Sequence, residues 1–573
     1  MNFAKYLAIA SAVLLTACST SDTIDDGSVE PSADNTSGTS SSDLTSFSVA
    51  IDRQTAEPET SVEEEFFSTE DVLDMDDDPF TTIVNIAFNG SEAVVDEVEG
   101  ITITSDGAHV TADHGQTKNV SYRLSGSTSD GSLTVAGEKK FEVVLGGVDI
   151  TNPDSAALNL LCGKRAFIVL QDGTQNVLRD GTSSLNSHKG ALYCKGKILF
   201  NGSGMLDVYG NYNNAIHSAD YIVFRAGNNI YAKSTANNGI KANDGIIING
   251  GIINVETSAT AGKGINCEYE IAINGGRTTI ITTGGGEYDS DEGDTNAAAA
   301  LKADSTLYMR GGELFVKSTG KGGKGIKTDW ECYISGGVVH ALTEGSVYSY
   351  GSLTSSPKAI KVGTKGEHGV LEVSGGTIMA RTSGSKGEGL ESKGTLTVSD
   401  GTVKIYAYDD GINSAGDMYI KGGTIVSVGR NSDGIDANGN LYISGGNLVG
   451  VGASGAESGI DVGENKRLYV TGGSFIGIGG RIDASLGSTT QGIASYSGSI
   501  TANATAKITN SGGSTTYATF LMPPVSTSGT VMASCPSMTS GTSYRVYMGT
   551  SYTSVTAYST LSSGGMGGGG KKW

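Results

Sequence analysis

Residues 434–449 decide the fold. Gly434-Ile435-Asp436-Ala437 is followed by Leu441-Tyr442-Ile443, then Gly445-Gly446, then Leu448-Val449. Each short run alternates apolar and polar positions, the period of a strand, and glycines mark the turns between runs. The same order recurs on a Gly/Ala-Ile/Leu pair at Ala215-Ile216, Gly239-Ile240, Gly264-Ile265, Ala300-Leu301, Gly325-Ile326, Ala359-Ile360, Gly389-Leu390, Gly411-Ile412, Gly434-Ile435 and Gly459-Ile460. The intervals are 24, 25, 36, 25, 34, 30, 22, 23 and 25 residues. A unit of this length with three strands and no helical pattern is one coil of a parallel β-helix, with coils stacked at about 4.8 Å. The longer intervals predict inserted loops between the last strand of one coil and the first of the next. Irregular forerunners at Leu133, Leu158 and Leu192 bring the expected count to about thirteen coils.

Alternation assigns the faces. Ile435 and Ala437 point inward, so Asp436 points out. The inward column two residues after the Ile is small: Cys194, Ser218, Ala242, Cys267, Ala303, Thr328, Val362, Ser392, Ser414, Ala437 and Val462. Cys194 and Cys267 fall three coils apart, about 14 Å by the rung spacing, too far for a disulfide. With Cys162, Cys332 and Cys535 they read mostly as small buried hydrophobes.

Composition agrees with a chain of short strands. Glycine is 85 of 573 residues and proline only 8, without the G-X-Y period of collagen. The net charge of −22 is concentrated near the start, where residues 19–79 hold 18 acidic side chains and the single basic Arg53. The remainder is nearly balanced and lacks the basic face of a nucleic-acid binder. Residues 1–18 read as an export signal: a short positive start with Lys5, an apolar run too short to span a bilayer, and Leu15-Thr16-Ala17-Cys18, a lipobox whose Cys18 is expected to be diacylated. Membrane contact is expected through that anchor alone, on an outer membrane or cell surface. Residues 19–79 read as an acidic disordered tether, with local order conceivable only around Glu65-Phe66-Phe67. The β-helix is expected over 80–482, a small C-terminal β cap over 483–560, and a Gly-rich tail over 561–573. Gly492-Ile493 reads as a last degenerate coil.

Three columns carry candidate chemistry. The outward residue after each Gly-Ile reads Lys241, Asn266, Lys302, Lys327, Lys361, then Glu391, Asn413, Asp436, Asp461; the sign changes midway. Glu388, Asp409, Asp410 and Asp433 sit just before the pair. Carboxylates at rung spacing repel unless a cation lies between them, and an all-oxygen set from several strands suits Ca²⁺. The same residues also read as solvated turn aspartates. The lysines would suit a polyuronate, or simply form a solvated face. A second cation candidate is the insertion Asp289-x-Asp291-Glu292-x-Asp294-x-Asn296, which lacks the closing Glu of an EF-hand. The third column is aromatic: Tyr308, Tyr333, Tyr419, Tyr442 and Tyr469 face outward on the second strand. Tyr419, Tyr442 and Tyr469 occupy successive coils, either as sugar-stacking rings or as a self-stacking ladder.

Residues from about 80 to 555 resemble the bacterial carbohydrate-binding β-helix family related to family 9 pectate lyases. The resemblance lies in Leu145-Gly146-Gly147-Val148-Asp149-Ile150, in Leu206–Asn214, in the order of the Gly-Ile and Gly-Gly units, and in Ser540–Tyr547. It implies an exported right-handed β-helix that binds plant-type or acidic polysaccharides with bound calcium. Asp409-Asp410-Gly411-Ile412-Asn413 is similar to the calcium motif of those lyases, but ends in Asn413. No lysine lies between Lys421 and Lys466, where a base would be sought. The leading expectation is a lipid-anchored polysaccharide-binding protein; the alternatives are a pectate-lyase-like enzyme and a structural surface adhesin.

Overall fold

A glycine or alanine opens each aligned coil because the position is closely packed: Ala215, Ala300 and Ala359 are fully buried there, and at some glycines not even a Cβ fits. In the computed structural model, a Cβ on Gly264 would lie 2.0 Å from Ile280 Cγ2, and one on Gly389 2.1 Å from Ile405 Cγ2. The glycine thus lets the first strand of a coil close against its third. Gly446 has φ +81°, a left-handed conformation that side chains disfavour, and turns the chain between the second and third strands. The structure describes residues 43–59, 62–67, 80–364, 366 and 368–560.

These local rules build an all-β solenoid of long, mostly parallel sheets. Its first face is a 16-stranded sheet whose rungs include Ile412–Ser414, Ile435–Ala437 and Ser458–Val462. The second and third faces merge into a 27-stranded sheet. In some coils the two faces are separate strands, such as Met418–Ile420 and Thr424–Gly429; in others one bent strand, such as Leu441–Val451, serves both. The register follows the Gly-Ile alignment: Leu390 pairs with Ile412, and Ile412 with Ile435. The first face also extends beyond the aligned units, with parallel rungs at Ala108–Asp113 and Arg481–Asp483.

The small inward column is buried throughout. Several of its polar members donate to a carbonyl of the turn that follows: Ser218 Oγ to Tyr221 O at 3.1 Å, Ser392 Oγ to Thr395 O at 2.8 Å, and Cys267 Sγ to Glu270 O at 3.3 Å. The five described cysteines are buried and free. Burial pushes the thiols of Cys194, Cys267 and Cys332 up to about 12, which keeps them protonated and unreactive.

Two insertions lie where expected. The hairpin Glu287–Asp289 with Asp294–Asn296 precedes the rung Ala299–Ala303, and Tyr348–Tyr350 with Leu353–Ser355 precedes Lys358–Val362. The third does not. In the 30-residue unit the extra residues follow the first strand, between Val362 and Val370. The Gly-Ile anchors fix the length of a unit but not which of its turns grows.

The acidic segment departs most from expectation. Residues 43–59 and 62–67 run along the outside of the solenoid as a strap. A single helical turn, Asp43–Ser46, starts it, with Leu44 and Val49 buried. Phe47 lies 5.3 Å from His340, and Arg381 donates to Thr45 O and Phe47 O at 3.0 and 3.2 Å. Arg53 pairs with Asp207 at 2.5 Å. Glu57 accepts the backbone N–H groups of Gly227 and Gly251 at 2.8 and 2.5 Å. Glu64 pairs with Arg225 at 2.8 Å and Glu65 with Arg310 at 2.5 Å. Phe66 and Phe80 then pack on an outward apolar stripe of the second face, Phe167, Leu199, Val223, Ile247 and Ala272, and Phe67 stacks on Tyr221 at 4.7 Å. Glu57, Glu64 and Glu65 are matched by turn N–H groups and arginines of the solenoid, and the interspersed apolar side chains find a surface to cover. Cys18 and the tail 561–573 lie outside the described residues.

At the other end, Thr527–Ser534 pairs antiparallel with both Leu468–Gly479 and Ile493–Ile500. Gly492-Ile493 therefore opens an antiparallel strand of the cap, not a coil. A four-stranded antiparallel sheet completes the unit. Its Ala506, Ile508, Phe520 and Val546 bury the outward Val428, Val449, Val451, Ile476 and Ile478 of the third face.

Replacing Phe66 and Phe67 with serine should uncover the second-face stripe while leaving the coil core intact. The expected loss is roughly 1–2 kcal/mol for each partly buried ring, read as a lower melting temperature with increased binding of a hydrophobic dye. Unchanged melting and dye binding would mean that the strap does not hold to the solenoid.

Candidate functional site

The first face places the outward residues in one uninterrupted ladder. Lys241, Asn266, Lys302, Lys327, Lys361, Glu391, Asn413, Asp436 and Asp461 pair rung by rung in that order. A second ladder, three residues earlier on each strand and two before the Ile or Leu, runs Lys263, Ala299, Lys324, Lys358 and Glu388. Its acidic end, from Glu388, was read in the sequence, but its lysines Lys263, Lys324 and Lys358 were missed, although the spacing from the Ile is constant. It changes sign at the same coil.

Most of the lysines already have partners. Lys241 lies 2.8 Å from Glu268, Lys302 lies 2.6 Å from Asp304 and 3.5 Å from Asp329, and Lys327 lies 3.0 Å from Asp329. Lys361 makes none of these pairs among the described residues. Burial, together with Lys327, Lys393 and Lys358, holds it below the ordinary lysine range despite Glu391. The missed lysines are buried and brace the insertions. Lys263 Nζ donates to Asn296 Oδ1 at 2.8 Å, and Lys324 Nζ to Ser355 Oγ at 2.9 Å and Ser356 O at 2.6 Å. Burial lowers Lys324 well below the usual value and Lys263 to about 8.

Two of the expected cation ligands are committed elsewhere. Lys358 Nζ pairs with Glu388 and lies 3.5 Å from Glu391, which Lys393 also approaches at 2.5 Å. Burial raises Glu388, and its lysine only partly compensates. Burial would raise Glu391 too, but Lys358, Lys393 and Lys361 together hold it low. A lysine thirty residues back in sequence, one rung away in space, takes both glutamates from the acidic cluster.

The carboxylates that do converge are Asp410, Asp433 and Asp436. Each offers an oxygen within 4.8 Å of the others, and Asp410 and Asp433 are buried. Backbone N–H groups of the next coil fix two of them: Asp433 N donates to Asp410 Oδ1 at 3.1 Å, and Ser458 N to Asp433 Oδ1 at 2.6 Å. The same brace exists at the far end of the solenoid, where Asn238 N donates to Asn214 Oδ1 at 3.2 Å and Lys263 N to Asn238 Oδ1 at 2.9 Å. There a neutral asparagine suffices. The structural task at this position therefore does not require the charge that Asp410 and Asp433 carry. Burial, then Asp410, Asp436 and Glu457, raise Asp433 to about 7 against the Ser458 N–H. Such a trio is a fitting seat for a hard cation.

The other expected ligands surround the trio or lie apart from it. Asp409 is raised by burial and by Asp410. Asn413 donates to Asp410 Oδ2 at 3.1 Å and accepts from Asn438 at 3.3 Å. Asp461 continues the ladder between Asp436 and Asp483. Asp289, Asp291 and Asp294 do not converge. Asp289 Oδ1 accepts the N–H groups of Asp291 and Glu292 at 3.0 and 3.3 Å, the geometry of a hairpin turn, and Asp294 accepts from Thr295 N.

Tyr419, Tyr442 and Tyr469 stack on one another at 5.0 and 4.8 Å, within 7° of parallel. Lys421 lies 5.6 Å over the Tyr419 ring, and a Cβ on Gly487 would sit 2.4 Å from Tyr469 Cε1. Their faces are thus covered within the ladder, which leaves edges and not faces for a sugar. Sequence reasoning passed over two exposed aromatic residues beside this face, Tyr269 and Trp330; others stand open on the insertions and the cap, such as Tyr350 and Tyr552. Tyr269 and Trp330 both follow an acidic residue in the turn after the first strand, the position at which a coil leaves this face.

The chain belongs to the family of carbohydrate-binding domain-containing proteins. That family's model matches residues 99–268, 257–346 and 321–429, more than half of the chain and most of the solenoid. A carbohydrate-binding domain-containing protein of Acetivibrio thermocellus is 32% identical over 151 residues, 25% of this chain and 51% of the relative. The chain thus spans about half the length of the curated relative it matches. A solved structure described as the polysaccharide lyase-like protein from C. thermocellum, gadolinium derivative, is 26% identical, covering 43% of this chain and 94% of that one, with a TM-score of 0.35.

The raised Asp433 gives a pH signature. Its folded-state value of about 7 lies above the unfolded value of 3.8. Its contribution to stability is therefore fully present below about pH 4 and lost as pH rises through about 7. In chelator, the melting temperature of the parent should fall across that window, and Asp433→Asn, which keeps the brace, should flatten the decline. Identical pH profiles for the two proteins would show that Asp433 is not held protonated by its neighbours.

Proposed function

We propose that this protein is an exported, lipid-anchored polysaccharide-binding protein that takes its polymer along the first face of the solenoid. The observation that carries this reading is the outward ladder of that face. From Asn159 through His217, Lys241, Lys302 and Glu391 to Asp461 it is polar at every rung except Tyr193. The other two faces carry outward apolar stripes that the strap and the cap bury. A charged face without an apolar stripe, in a family defined by carbohydrate binding, is the surface suited to a polyhydroxylated polymer.

Calcium is assigned to Asp410, Asp433 and Asp436. Bound there, it would neutralise carboxylates that otherwise cannot all ionise, and offer a positive charge to acidic groups of a polymer. Lys361 supplies the ammonium of the ladder that forms no ion pair among the described residues, so acidic sugars are favoured at that rung. Cys18 is assigned as the lipidated residue, which places the protein on an outer membrane or cell surface. Binding is favoured over elimination by the surroundings of the trio. Its neighbouring rungs carry Asn413 and Asp461, Lys361 is three rungs away from Asp436, about 14 Å, and Lys466 is exposed in a turn.

Affinity electrophoresis in polygalacturonate and in a neutral glucan, with calcium or chelator, tests this, with ultraviolet absorbance recording any unsaturated product. The expected result is retardation without product. At low salt Lys361→Gln should weaken retardation by polygalacturonate more than Lys241→Gln, whose ammonium is already paired. Retardation by no polymer would overturn the binding reading, and product release would establish the lyase. Cys18→Ser should move the protein to the soluble fraction; a variant that stays with membranes after carbonate washing would contradict the anchor.

A further inference from the structure

The turn between the first and second faces repeats the same positions on three successive coils: Glu268-Tyr269-Glu270, Asp304-Ser305-Thr306 and Asp329-Trp330-Glu331. Backbone hydrogen bonds fix their register, Ser305 N donating to Tyr269 O at 2.9 Å and Trp330 N to Ser305 O at 3.2 Å. Two aromatic residues therefore stand two rungs apart with a serine between them. Both are open to solvent, Tyr269 at 57% and Trp330 at 53% exposure.

Where tyrosines fill consecutive rungs, as at Tyr419, Tyr442 and Tyr469, their rings lie 5.0 and 4.8 Å apart and nothing fits between them. Two rungs give about 9.6 Å, which leaves room between two aromatic residues for the thickness of one further ring. The intervening rung holds only Ser305. The next coil brings His368 to 5.0 Å from the Trp330 ring, tilted by 47°.

The ladder beside this gap is rich in hydrogen-bonding groups but carries no net charge. Lys302 lies 2.6 Å from Asp304 and 3.5 Å from Asp329, and Lys327 lies 3.0 Å from Asp329. Two ammonium groups balance two carboxylates, and together they offer donors and acceptors to hydroxyl groups.

We propose that Tyr269, Ser305 and Trp330 form a slot for a single uncharged pyranose unit of a polysaccharide, stacked between the two rings with its hydroxyls toward Lys302, Asp304, Lys327 and Asp329. The slot rests on the polysaccharide reading above and refines it. Lys302 and Lys327 are already matched by Asp304 and Asp329, so this subsite offers a uronate no unpaired cation and suits a neutral sugar, while Lys361 serves acidic ones.

The test uses the full chain with Cys18→Ser, in affinity electrophoresis against hydroxyethylcellulose, a galactomannan and polygalacturonate. Trp330→Ala removes one wall. Ser305→Tyr fills the gap with a third ring in register, which the neighbouring rungs can stack against, so its melting temperature should hold; Ser305→Ala is the control. The expected result is parent binding to a neutral polymer that hardly changes with salt, weakened about tenfold in Trp330→Ala and Ser305→Tyr. Ser305→Ala should bind neutral polymer like the parent, and polygalacturonate binding should be the same in all variants. Equal neutral-polymer binding by Ser305→Tyr and the parent would overturn the slot. So would a parent that binds polygalacturonate but no neutral polymer, and both outcomes leave the polysaccharide reading standing. Failure to bind any of the polymers would overturn both.

Discussion

Every outward side chain of this solenoid has a neighbour one rung above and one below, about 4.8 Å away, and the rest of the structure follows from that spacing. Like charges at this distance repel by roughly 3.5 kcal/mol at an effective dielectric of 20, so a column of one sign needs compensation at nearly every rung. The lysine half of the first face obtains it from Glu268, Asp304 and Asp329 in the adjoining turn. At the boundary, Lys358 and Lys393 neutralise Glu388 and Glu391. Beyond it, Asp410, Asp433 and Asp436 converge, and burial among like charges raises Asp433.

The same spacing acts on apolar columns. An outward stripe such as Phe167, Leu199, Val223, Ile247 and Ala272 is continuous, and left in water it would be an edge-to-edge adhesive surface. The chain covers it with its own strap, and covers the third-face stripe with its cap. What remains open is the polar first face together with the turn beside it, where Tyr269 and Trp330 stand exposed. Family membership points to carbohydrate, and the division of the surface is the ground for proposing the first face as its place.

The fold was legible because a small residue followed by Ile or Leu is a packing requirement repeated at every aligned coil, and the observed register follows it from Leu192 to Ile435. The strap was not read, because its net charge suggested repulsion and its arginine partners lie 161 to 336 residues away. A signal was nonetheless present. Ile198-Leu199-Phe200, Ile222-Val223-Phe224 and Ile246-Ile247-Ile248 lack the alternation of neighbouring strands, and an unbroken apolar strand is buried on both faces. Glu388 and Glu391 were misplaced for a related reason: their acidic neighbours are close in sequence, whereas Lys358 is close only once the coil has closed. Asp410, Asp433 and Asp436 were legible because the alignment puts them on adjacent rungs. The tyrosine ladder was legible as a stack, but only ring distances show that its faces are used up.

The central claim is that the polymer lies on the first face while the strap and cap keep the other faces occupied. Hydroxyl-radical footprinting by mass spectrometry, with and without saturating polysaccharide, measures this directly. Protection should appear at Tyr269 and Trp330, with Phe67 on the strap and Tyr517 and Tyr552 on the cap unchanged. Protection of Tyr517 and Tyr552 with none at Tyr269 and Trp330 would contradict the account and move the binding surface to the cap.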